Sequence, residues 1–235
     1  MAAGALGVVL IVAAIIAAVA MEGPGTSLPP RPAGERPQLV LLTSLPILFP
    51  EELTLEARPL PVLAALRSRY RLVPISLADR ASLDSHRLLL MAQPQAQPAE
   101  VLVELDAWVR GGGHVLLLAD PALEWPSKRP LGSVLRPPLA FADTGLLGHW
   151  GLRLDAPETP GATTVRIGKM DIRTAAPGEL VATDGNCRVE SGFVARCRVG
   201  AGEATVIADA DFIATADSRS PNLDLLLREL GRLER

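Results

Sequence analysis

Three stretches of this chain follow one polar residue with four or five consecutive apolar ones: Gln38–Leu42, Arg87–Met91 and His114–Ala119. Ala204–Ala208 reads the same way with one threonine inside it. Such runs are too short for helices, and they are apolar on both sides of an extended chain. A strand of that kind must be covered on both faces, as strands of parallel sheets are. The stretches between them carry helical periodicity. Pro98–Arg110 places Val101, Leu102, Leu105, Trp108 and Val109 on one stripe, with Pro98 at the first position and Gly111-Gly112-Gly113 as the stop. Pro59–Tyr70 turns Val62, Leu63 and Leu66 inward, and Arg71–Ile75 follows as a short strand. Ser220-Pro221 opens a last helix to Leu233 with Leu223, Leu226, Leu227 and Leu230 inward. Strand–helix alternation predicts a mostly parallel sheet with helices on both faces. Ala122–Thr163 is loop-rich, with a short helix near Thr144–Trp150, and Val165–Val199 reads as antiparallel strands.

The N-terminus speaks to location. Ala2–Met21 has no charged or strongly polar side chain, and twenty residues at about 1.5 Å each span a bilayer's hydrocarbon core. The run reads as a membrane anchor or an export signal. Ala18-Val19-Ala20 fits a cleavage site, but the run exceeds a signal core and no basic residue precedes it, which favours an uncleaved anchor. By charge counting alone, Arg31 and Arg36 after the run would keep the body cytoplasmic. Residues 22–37, rich in Pro and Gly, read as a tether, and 38–235 as a single α/β domain.

The two cysteines, Cys187 and Cys197, flank a strand–Ser191-Gly192–strand pattern that would set them side by side. A disulfide there suits an oxidising compartment, against the alternative of two strand residues that happen to be Cys. Together with the N-terminus this favours the outer face of the membrane.

Net charge is −3 and aromatic residues are 3%. Neither a phosphate-neutralising surface nor a base-stacking platform is expected, so no nucleic acid is expected as partner. Beyond the carboxyl ends of the expected strands stand Thr43, Ser44, Gln93, Asp120, Asp209 and Asp211, candidates for one ligand crevice. The aspartates could hold a hard cation or share acid–base work, or they could cap turns. His86, His114 and His149 lack metal-ligand spacing, and neither a P-loop nor a G-x-S-x-G elbow occurs. No catalytic residue, metal ligand or cofactor is assigned.

Leu105–Pro121, LDAWVRGGGHVLLLADP, resembles a segment of the GldG-like family, the auxiliary extracytoplasmic domains of gliding-motility-type ABC transport systems. Gly202–Ile213, GEATVIADADFI, followed by Asn222–Leu227, is similar to that family's ending. The resemblance implies a three-layer α/β sandwich of the flavodoxin or glutamine-amidotransferase kind, with an antiparallel hairpin extension and the N-terminal transmembrane helix. A glutaminase-like enzyme carries a Cys on a tight turn after the strand matching Leu88–Met91. Here that place reads Ala92-Gln93-Pro94-Gln95. The expected function is therefore a single-pass protein of the bacterial inner membrane, its body in the periplasm. It would be a non-catalytic accessory that binds a ligand or partner for an ABC ATPase and permease. The alternative is a membrane-tethered, metal-assisted hydrolase using the strand-end aspartates.

Overall fold

The computed structural model describes residues 28–51, 59–217 and 220–235. The expected membrane segment lies outside these. Among the described residues no helix is long and apolar enough to cross a membrane.

The body is mixed α/β around a seven-stranded sheet. The strands are β1 (Gln38–Thr43), β2 (Arg71–Pro74), β3 (Leu88–Ala92), β4 (His114–Leu118), β5 (Leu152–Asp155), β6 (Ala162–Ile167), β7 (Met170–Ala175), β8 (Glu179–Ala182), β9 (Cys187–Glu190), β10 (Val194–Val199) and β11 (Gly202–Ile207). The helices are α1 (Pro61–Arg69), α2 (Arg80–Leu83), α3 (Ala99–Arg110), α4 (Leu146–His149) and α5 (Pro221–Leu233), with 3-10 turns at Ala33–Glu35 and Asp211–Ile213. The main sheet runs β2-β1-β3-β4-β11-β10-β9. The first five strands are parallel, and β10 and β9 extend the sheet antiparallel.

The uninterrupted apolar runs have the consequence anticipated for them. In β1, Leu39 and Leu41 pack on one face with α1 and α5, while Val40 and Leu42 pack on the other with α2, α3 and α4. Each such fully buried side chain contributes about 1.5–3 kcal/mol. The segment between β4 and β11 adds two small sheets, β5-β8 and β6-β7. They cover opposite faces: Leu152 and Leu180 join the α3 side, Ile167 and Ile172 the α5 side.

Local signals set the boundaries. Ser220 caps α5 by accepting from the Asn222 N–H. The left-handed residue after α3 is Gly112, φ +108°, and a Cβ on Gly113 would stand 2.4 Å from the Trp108 ring. Helix α3 begins one residue later than expected, with Pro98 as its N-cap. Ser191 and Gly192 both have positive φ, +53° and +64°, the geometry of a tight hairpin whose twist matches its strands. This register sets Cys187 opposite Cys197, and the two are disulfide-bonded.

The tether is shorter than expected. From Leu28 onward the chain is docked rather than free. The Arg31 N–H donates to Ser68 O at 2.9 Å, Arg69 donates to Pro29 O, and Arg31 pairs with Glu234 at 2.7 Å. The arginines tie down a stretch whose Pro and Gly content alone suggested a spacer.

Candidate functional site

The six strand-end residues all lie beyond the carboxyl edge of the sheet, in two groups with different environments. Thr43 ends β1 and Ser44 follows it; β1 is flanked by β2 on one side and β3 on the other. The chain order reverses there, which is where open α/β sheets place ligands. The Thr43 hydroxyl donates to Ala92 O at 2.8 Å and accepts from the Leu45 N–H, and the Ser44 hydroxyl donates to Gln93 O. Both residues are half-buried and line a cleft of about 340 Å³ with Leu45, Pro46, Leu48, Phe49, Glu51, Pro74–Ser76, Arg129 and Leu135.

The second group is sealed. Gln93 is fully buried, with φ +42°, a left-handed conformation rare outside glycine. Its amide donates to Asp120 O and Pro138 O, both at 3.1 Å, and accepts from the Asp120 N–H at 2.9 Å. Asp120 accepts from the Ala122 and Ala210 N–H groups at 2.8 and 2.9 Å. Asp209 accepts from the Thr174 hydroxyl at 2.6 Å and the Phe212 N–H at 2.8 Å. Asp211 accepts from the Glu124 N–H at 2.7 Å. Asn222 completes the cluster by donating to Phe212 O and Arg173 O. The D-x-D-F…N pattern thus folds onto itself, clamping the β6-β7 hairpin and the 3-10 turn to the start of α5.

The electrostatics follow from that burial. Removal from water pushes the Asp209 carboxyl well above the usual range, and neighbouring Asp120 adds to the rise. Burial likewise pushes Asp211 up to about 7, and raises Asp120 against the pull of the N–H groups it accepts from. Asp209 Oδ2 is buried and has no hydrogen-bond partner among the described residues, a setting that favours the neutral acid. Among the described residues, no group of three or more His, Cys, Asp or Glu side chains is placed to hold a metal ion. Of the six candidates, then, only Thr43 and Ser44 face a cleft. Gln93, Asp120, Asp209 and Asp211 are buried and bonded to the protein's own backbone.

Sequence reasoning missed the rest of that cleft. Glu51 accepts from the Ser127 hydroxyl at 2.6 Å and the Lys128 N–H at 3.0 Å, and lies 3.9 Å from Arg129. This fastens the 126–141 loop beside the cleft. Phe49, Leu131, Val134, Leu135 and Leu139 are exposed on these two loops, Val134 by 84%. The signal was present: apolar residues recurring between Pro126, Pro130, Pro137 and Pro138, with no helical or strand period to bury them.

No family model and no curated protein matches the chain. Solved structures do resemble it. The mmIFT52 N-terminal domain has a TM-score of 0.52 at 12% identity, over 83% of this chain and 97% of that one. The cytoplasmic protein STM3548 of Salmonella typhimurium has a TM-score of 0.51 at 10% identity, over 84% and 98%. An exo-β-1,4-mannosidase, Op5Man5, from Opitutaceae bacterium strain TAV5 has a TM-score of 0.48 at 13% identity, over 83% and 35%. The chain spans about a third of the length of that enzyme and of a similar β-galactosidase from Bacillus circulans. At these identities the likeness is one of fold.

Proposed function

We propose that this chain is a membrane-anchored, periplasm-facing, non-catalytic accessory domain that binds a partner for an ABC-type transport system. Its body would be a flavodoxin- or glutamine-amidotransferase-like three-layer sandwich. The observation that carries this reading is Gln93. It sits in a left-handed conformation directly after β3, where a glutaminase-like enzyme would hold its Cys. Here the side chain is an amide consumed by Asp120 and Pro138. The residue after β3 thus carries no nucleophile and has its hydrogen bonds taken up inside the protein.

Two further features support the reading. The Cys187–Cys197 bond fits an oxidising compartment. The exposed apolar residues beside the cleft are of the kind that mark contact surfaces. Nothing in the site favours the metal-assisted hydrolase, whose aspartates accept from backbone N–H groups instead of facing solvent.

The test is an affinity pulldown of the full-length chain from gently solubilised membranes, beside a Phe49→Ser/Leu135→Ser variant. The reading expects an ATPase and a multi-span permease with the parent chain, and their loss with the variant. Recovery of the parent chain alone would overturn it.

A further inference from the structure

The opposite end of the sheet has a different chemistry. The amino ends of β1, β2, β3 and β4 meet the carboxyl ends of α1 and α5. Gln38 pairs with Arg71, and Leu88 with His114. Arg67, Arg71, Arg87 and Arg235 are exposed at this end, and among the described residues their side chains make no hydrogen bond or ion pair. The acids nearby are fewer. Glu234 is held by Arg31 and the Tyr70 hydroxyl, leaving Glu35 and Asp84 exposed. Between the arginines lies a cleft of about 320 Å³ lined by His86, Arg87, His114 and Arg235, together with the Glu234 already held by Arg31 and Tyr70. Arg87 and Arg235 thus bring cationic guanidinium groups to this cleft, groups matched to phosphate oxygens.

The route of the chain says what this end faces. The docked segment begins at Leu28 and leads along α1 to β1 at this same end. The apolar run ends at Met21, seven residues earlier, a reach of at most about 25 Å when fully extended. The arginines are thus held close to wherever that run is inserted.

We propose that the amino end of the sheet is a docking face for anionic lipid headgroups, with the His86–Arg87–His114–Arg235 cleft receiving a headgroup phosphate. The proposal rests on reading Ala2–Met21 as a membrane segment. It orients the molecule: the arginine-bearing end lies on the bilayer, and the apolar rim beside the Thr43–Ser44 cleft points away from it, toward protein partners.

The test reconstitutes the full-length chain into vesicles of phosphatidylcholine alone, or of phosphatidylcholine with phosphatidylglycerol, and follows amide hydrogen exchange at residues 67–71, 84–88 and 231–235. With phosphatidylglycerol at low salt these segments should exchange roughly tenfold more slowly than in phosphatidylcholine. The protection should vanish at high salt and in an R71E/R87E/R235E variant that keeps the parent's unfolding midpoint. Equal exchange in both vesicle types, with the chain still floating with the lipid, would overturn the docking face alone. So would protection that survives charge reversal in a folded variant. Failure to float with either vesicle type would overturn the membrane reading and this proposal with it.

Discussion

The two halves of the sheet's carboxyl edge use similar residues to opposite ends. Beyond β1, Thr43 and Ser44 bond to backbone carbonyls yet remain half-exposed on an open cleft. Beyond β4 and β11, Asp120, Asp209 and Asp211 bond to backbone N–H groups and are buried. The difference is the 120–178 excursion. It lays Ala122 and Glu124 over one half, and brings Thr174 of the β6-β7 hairpin to Asp209. A polar strand end stays within reach of a ligand only where no later segment folds back to cover it.

The contrast can be broken most directly at Asp209. Asp209→Ala strands the buried Phe212 N–H and Thr174 hydroxyl, and should cost about 3 kcal/mol in urea unfolding. Ser44→Ala, which water can reach, should cost no more than about 1 kcal/mol. Equal losses would erase the distinction between a sealed half and an open one.

Opening the Cys187–Cys197 bond should cost about 2–3 kcal/mol, through the freedom regained by the unfolded chain. A C187S/C197S variant measured beside the non-reduced parent checks this. Because the bond joins β9 to β10, at the far edge of the sheet from β1, it should leave the effect of Ser44→Ala unchanged.

Protonation sharpens the comparison further. Asp209, Asp120 and Asp211 all have folded-state values above the ordinary carboxylate range, Asp211 at about 7. The folded protein therefore binds these protons more tightly than the unfolded chain. Their contribution is complete below about pH 4, declines as pH rises, and for Asp211 is spent above about pH 7. Urea midpoints at pH 4, 5.5 and 7 should show this fall, and D209N/D211N should flatten it. A parent whose stability rises through this window by the same amount as the variant would refute the assignment.

The smallest expected effect on stability is at Phe49. Its side chain is 74% exposed, so Phe49→Ser should change stability by less than about 0.5 kcal/mol while weakening partner capture. A large stability loss would make this loop part of the core instead of a contact surface.

Much of the fold was legible because its signals are local. Leu39–Leu42 and Val115–Leu118 can only be strands covered on both sides, Ser220-Pro221 starts a helix, and Ser191-Gly192 makes the tight turn that pairs the cysteines. The strand-end residues could be named for the same reason, since each follows an apolar run. Their fates could not be named. Whether Gln93 faces a ligand or Pro138 depends on contacts 27 and 45 residues away, and whether Asp120 binds a ligand or Ala210 depends on one 90 residues away. Composition suggested a tether through residue 37, whereas Arg31 and Arg69 dock its second half. The sequence by itself determined which apolar runs must be buried and roughly where the main strands and long helices lie, because apolar period and capping act within a few residues. Tertiary structure alone decided which polar groups stay in reach of solvent, because that depends on which distant segments are folded over them.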